Sequence, residues 1–121
     1  MREDNTIQII SKAFALRIIK LYQYLREEKG EFVLSKQILR SGTSIGANIA
    51  ESINAQSRAD FISKLSISLK EATETKYWLE LLHESDHISD TQFGSIVNDL
   101  NIIIGTLVNT IKSTKQNERN E

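Results

Sequence analysis

Apolar residues recur every three or four positions along almost the whole chain, and no proline interrupts them anywhere in its 121 residues. Proline breaks helix interiors by removing a backbone donor and clashing with the preceding turn. Its absence, combined with that spacing, predicts long α-helices. Ile7, Ile10, Phe14, Ile18, Leu21 and Leu25 form a first stripe, and Ile38, Ile45, Ile49 and Ile53 a second. Phe61, Leu65, Leu69, Ala72 and Leu79 form a third, and Phe93, Ile96, Leu100, Ile103, Leu107 and Ile111 a fourth.

The helix ends are punctuated by capping residues. Asn5 with Gln8 has capping-box spacing, Gly30 follows Lys29 as a stop, and Ser35 reads as the cap of the second helix. Ser57 with Asp60 opens the third helix, and Ser89 with Gln92 opens the fourth. The expected helices cover about residues 7–29, 36–55, 58–84 and 90–113, with a frayed polar tail at 114–121. Short connections make sequence neighbours antiparallel, so residues 1–121 are expected to be one all-α domain, an up-and-down four-helix bundle.

Composition leaves the class open but narrows the setting. The chain has no cysteine, hence no disulfide framework and no thiolate site, and this fits a reducing compartment. Its first residues lack a signal-peptide pattern and no apolar run is long enough to span a bilayer, so a cytoplasmic protein without membrane association is expected. Residues 1–50 hold eight Lys and Arg against five Asp and Glu, whereas residues 51–100 hold four against nine. A basic N-terminal half facing an acidic middle favours pairing within or between subunits over strong phosphate binding.

Two helices carry more organised surface than a monomer core needs. At 100° per residue, Ile9, Leu16 and Ile19 lie opposite the first stripe, and Ile67, Trp78 and Leu81 lie on a separate band of the third helix. These six residues are the candidate subunit interface. On the second helix, Arg40, Ser44, Asn48 and Glu51 share one face. They are read as a partly buried structural polar layer, with Arg40 meeting Glu71 or Glu74. Gly42 and Gly46, costly in a helix interior, predict a close backbone approach by a neighbouring helix. Lys12, Arg17 and Lys20, with Lys36 nearby, are the candidate nucleic-acid contacts.

His83-Glu84-Ser85-Asp86-His87 matches the zinc-protease pattern in letters, but it falls where the third helix should end. In that pattern a continuous helix holds the two histidines on one face to chelate the metal. No Gly-rich phosphate loop or nucleophile elbow accompanies it. No enzyme activity, catalytic residue, cofactor or metal is therefore expected.

The segment Gln37-Ile38-Leu39-Arg40-Ser41-Gly42-Thr43-Ser44-Ile45-Gly46-Ala47-Asn48-Ile49-Ala50-Glu51-Ser52 resembles the signature of the 23S rRNA-intervening-sequence protein family. Glu71-Ala72-x-Glu74-Thr75-x-Tyr77-Trp78-Leu79 is similar to that family's third-helix pattern, and the resemblance runs from about Ser11 to Lys112. It implies a cytoplasmic bacterial helical bundle that assembles into a ring, typically a homopentamer. Some such proteins are encoded within insertions in large-subunit ribosomal RNA genes. Related accessory proteins of diversity-generating retroelements are markedly basic and bind nucleic acid and a reverse transcriptase. The expected function is that of a non-enzymatic, oligomeric interaction or scaffold protein with a protein partner. The alternative is RNA or DNA binding by helix 1 around the ring.

Overall fold

In the computed structural model, residues 5–120 are described. They form α1 (Asn5–Lys29), α2 (Leu34–Ser52), α3 (Arg58–Glu84) and α4 (Asp90–Asn120). Each helix packs on its neighbours in sequence and α4 returns beside α1; diagonal helices do not approach closely. This is the up-and-down bundle that the short connections imply. Phe14, Ile18, Ile45, Leu65, Leu79 and Leu107 are among the fully buried side chains at its centre.

The glycines of α2 explain how closely α1 and α2 approach. A Cβ on Gly42 would lie 2.9 Å from Ile18 Cγ1 and Cγ2, and one on Gly46 would lie 3.4 Å from the Ser11 carbonyl oxygen and hydroxyl. The missing side chains make room for the neighbouring helix, as the spacing predicts. Across α2 and α3, Thr75 Oγ1 lies 2.9 Å from Ser41 Oγ, and Ser68 Oγ donates to the Ile45 carbonyl at 2.8 Å. All three hydroxyl residues are buried, so these bonds satisfy groups that would otherwise be costly to desolvate.

Several helix ends differ from expectation. Ser35 is not the cap of α2: it sits inside the first turn, fully buried, and its hydroxyl has no hydrogen-bond partner among the described residues. Glu31 caps the helix instead. Its Oε2 accepts from the Val33 and Leu34 N–H groups at 3.2 and 2.9 Å, and its Oε1 from Ser35 N–H at 2.7 Å. Burial would raise the Glu31 pKa, but the backbone donors of Leu34, Ser35 and Val33, with His87 nearby, outweigh it and hold the carboxyl below its ordinary value. A carboxylate reaching forward from the loop evades a capping-box search, which looks for Ser or Thr at the cap itself.

Gly30 ends α1 at φ 61°, a left-handed conformation that glycine adopts without strain. The helix α2 stops at Ser52 rather than near Ala55. Ser57 caps α3 by accepting from Asp60 N–H at 3.0 Å. Ser89 and Gln92 form a reciprocal capping box at 2.8 and 3.1 Å. The Asn5 cap lies outside the described side chains, as does Glu121 at the end of the tail. The tail also differs: α4 continues as helix to Asn120. No proline or glycine follows Gly105, and helical bonding needs no apolar face to continue through polar residues.

Candidate functional site

The segments that carry the family resemblance meet along the α2–α3 seam. Arg40 Nη1 lies 3.4 Å from Glu71 Oε1, Arg40 Nη2 pairs with Glu74, and Trp78 Nε1 donates to the same Glu74 carboxylate at 3.0 Å. One turn separates Glu74 from Trp78, so both point to the same side of α3 and reach toward α2. The Arg40 side chain remains 52% exposed. The cluster is therefore a surface clamp over the seam rather than a buried charge.

Of the six residues of the expected polar layer, Arg40, Glu71 and Glu74 join and the other three do not. Ser44 Oγ donates to the Arg40 carbonyl at 2.6 Å and Asn48 Nδ2 to the Ser44 carbonyl at 2.8 Å, both back onto α2. Glu51 turns to Lys64 at 2.9 Å, and this bond holds the Lys64 ammonium above its ordinary pKa. The buried polar contact is instead made by hydroxyls, Ser41 with Thr75 and Ser68 with the Ile45 carbonyl. Sequence reasoning missed it because hydroxyl residues at core positions leave gaps in an apolar stripe. Ser41 between Ile38 and Ile45, and Thr75 between Ala72 and Leu79, stand at helical spacing and were the available signal.

The α1 residues opposite the core remain in solvent. Ile9 is 62% exposed and Leu16 55%, with Ile19 also exposed and Lys12 and Lys20 beside them. On α3, Ile67 and Tyr77 are exposed, whereas Trp78 and Leu81 are half-buried. Ile102 on α4, 53% exposed, escaped the sequence reading because its neighbour Ile103 occupies the core stripe. A cleft of about 180 Å³ between α1 and α4 is lined by Ile10, Ala13, Phe14, Asp99 and Ile102.

The basic set on α1 is smaller than expected. Arg17 is drawn into α4, where Nη1 meets Asp99 Oδ2 at 2.8 Å and the Ser95 carbonyl at 3.3 Å, and Nη2 meets Ser95 Oγ at 2.6 Å. Lys12, Lys20 and Lys36 stay at the surface.

The His83–His87 pattern is broken by backbone geometry. After α3 ends, Asp86 takes φ 64°, while Asp86 N–H donates to the His83 carbonyl at 3.1 Å and His87 N–H to the Leu82 carbonyl at 2.9 Å. This left-handed cap turns the chain between the histidines. His83 Nε2 faces Asp90 Oδ1 at 2.6 Å with its ring stacked on Phe93 at 4.3 Å, whereas His87 Nδ1 meets Ser85 Oγ at 2.7 Å. Among the described residues, no group of three or more His, Cys, Asp or Glu could hold a metal ion. Nor is any described helix long and apolar enough to cross a membrane.

Comparison with known proteins agrees with the motifs. Residues 3–109 match the family described as 23S rRNA-intervening sequence protein. A crystal structure of a protein of unknown function from the S23 ribosomal protein family of Bacteroides thetaiotaomicron is 58% identical. The match covers 90% of this chain and 97% of that one, with a TM-score of 0.89. No curated protein matches the chain. With its two signature segments facing each other across α2 and α3, and the family match covering residues 3–109, the chain belongs to the 23S rRNA-intervening sequence protein family.

Proposed function

We propose that this protein is a non-enzymatic, oligomeric interaction scaffold of the cytoplasm, in which copies pack into a closed ring. The supporting observation is the face of α1 opposite the core, where Ile9, Leu16 and Ile19 stand in solvent beside Lys12 and Lys20. The complementary surface is on α3, where Ile67, Trp78 and Leu81 lie along a helix that also carries Glu71, Glu74 and Glu80. The apolar strip of α1 fits that of α3, beside which Glu71 and Glu74 already hold Arg40. Used once each per contact, the two strips make a heterologous interface, which gives a ring where the rotation between copies closes. The homopentamer that the family resemblance implies is one such closure, and its outer surface would recruit a protein partner.

Solution mass by light scattering tests this reading. The wild-type chain is expected to exceed the mass of one copy at micromolar concentration, and Leu16→Glu to return it to a folded monomer. A wild-type monomer would overturn the proposal. With Arg17 held by α4, the nucleic-acid reading rests on Lys12, Lys20 and Lys36. A titration with structured ribosomal RNA is expected to give no salt-sensitive complex, and tight binding that falls steeply with salt would favour that reading instead.

A further inference from the structure

The two flanks of α1 are held by different means. Toward α2, Gly42 and Gly46 bring the backbones together, so that Ile18 fills the space where a Gly42 side chain would stand and Ser11 lies against Gly46. Toward α4, close approach is sparse, and the polar contact across the gap comes from Arg17 on Asp99 and Ser95. Asp99 also walls the cleft that opens between the helices, with Phe14 beneath and Ile102 at its edge.

We propose that Arg17 is a latch on a seam that opens locally, with α1 and α4 parting while the α1–α2 and α2–α3 seams stay closed. The helix backbones approach least along this edge, and local opening follows the least tightly joined part of a structure. The latch itself is charged and partly exposed, with 35% of the Arg17 side chain and 47% of that of Asp99 accessible. Its strength therefore falls as salt rises. The α2–α3 seam also carries exposed charges, Arg40 with Glu71 and Glu74 and Lys64 with Glu51, but screening them leaves it closed, because close helix packing and the neutral, buried hydroxyls of Ser41, Thr75 and Ser68 hold it besides. In the open state Phe14 and Ile103 become reachable, so ionic strength controls access to an apolar surface that the closed bundle hides. This inference is independent of the ring, and light scattering on each sample separates seam opening from changes in assembly.

The cysteine-free chain permits a direct test. I103C places a thiol beside the seam at a position 1% exposed in the native chain, and S41C places one at a fully buried position between α2 and α3. Under native conditions with iodoacetamide, I103C is expected to be modified at least about tenfold faster than S41C, as local opening precedes global unfolding. Adding R17Q should speed modification of I103C by about fivefold, the factor expected for loss of a contact near the upper end of the exposed ion-pair range, and leave S41C unchanged. Salt should accelerate I103C and add nothing once R17Q is present. Equal rates at the two thiols, or equal acceleration of both by R17Q, would overturn the latch. Hydrogen exchange on the chain without added cysteine repeats the comparison should I103C fail to fold. Faster exchange with R17Q confined to α1 and α4 supports the latch, and a uniform increase refutes it.

Discussion

Helix α1 is packed in two contrasting ways along its length. Against α2 the chain removes side chains, so Ile18 lies against Gly42 and the helix backbones come close. Against α4 it spends a long side chain, with Arg17 reaching over a cleft to Asp99 and Ser95. The first arrangement derives its stability from dispersion and exclusion of water and tolerates almost no added volume. The second depends on charge, tolerates added volume, and changes with solvent conditions. One helix thus joins a rigid seam to an adaptable one.

The sharpest way to break the contrast is to enlarge the rigid flank. Gly42→Leu should destabilise the bundle by about 3 kcal/mol, because overpacking forces side chains off their rotamers and Ile18 has no room to retreat. Chemical denaturation would read this directly. A loss under about 1 kcal/mol would mean that the α1–α2 contact is as adaptable as the other flank.

Next in size is the cap that starts α2 on the same flank. Glu31→Gln removes a carboxylate that accepts three backbone N–H groups, and should cost about 1–2 kcal/mol at neutral pH. The sign with pH follows from the lowered pKa. A carboxyl held below its ordinary value of 4.5 contributes stability that is fully present above that value and is lost as pH falls through the lowered folded value. Thermal melts of the two proteins should therefore converge in acid. A gap that persists at all pH values would show that Glu31 acts through packing rather than charge.

On the adaptable side of the molecule, Gly105→Ala should stabilise by about 0.5–1 kcal/mol, the helix-propensity gain, since a Cβ there meets nothing within 4 Å. The paired Gly42→Ala should do the reverse, and two changes of equal sign would erase the distinction between the flanks. The smallest effect is expected at Ser35, whose buried hydroxyl has no hydrogen-bond partner among the described residues. Ser35→Ala should be neutral or stabilising by up to about 1 kcal/mol, because it removes an unmet hydrogen-bonding group. A clear loss of stability would reveal a bound water holding that hydroxyl.

Much of this was legible in the chain itself. The stripes from Ile7 to Leu25 and from Phe93 to Ile111 set two helices and their inward faces, because burial selects residues at the helical period. Ser57 with Asp60 and Ser89 with Gln92 marked helix starts, since those caps are made by residues only three apart. The two glycines of α2 announced a close neighbour without naming Ile18 or Ser11. The same stripes left Ile9 and Leu16 outside the core, where the structure has them.

Local sequence thus determined the helices, their inward faces and the caps built from adjacent residues, because each depends on interactions within a turn or two of chain. Tertiary structure alone decided that Arg17 binds Asp99, that Ser41 meets Thr75, that Arg40 reaches both Glu71 and Glu74, and that α1 lies open toward α4. Those outcomes join residues 31 to 82 positions apart, and which of many polar groups becomes the partner depends on the angle and distance at which the helices settle.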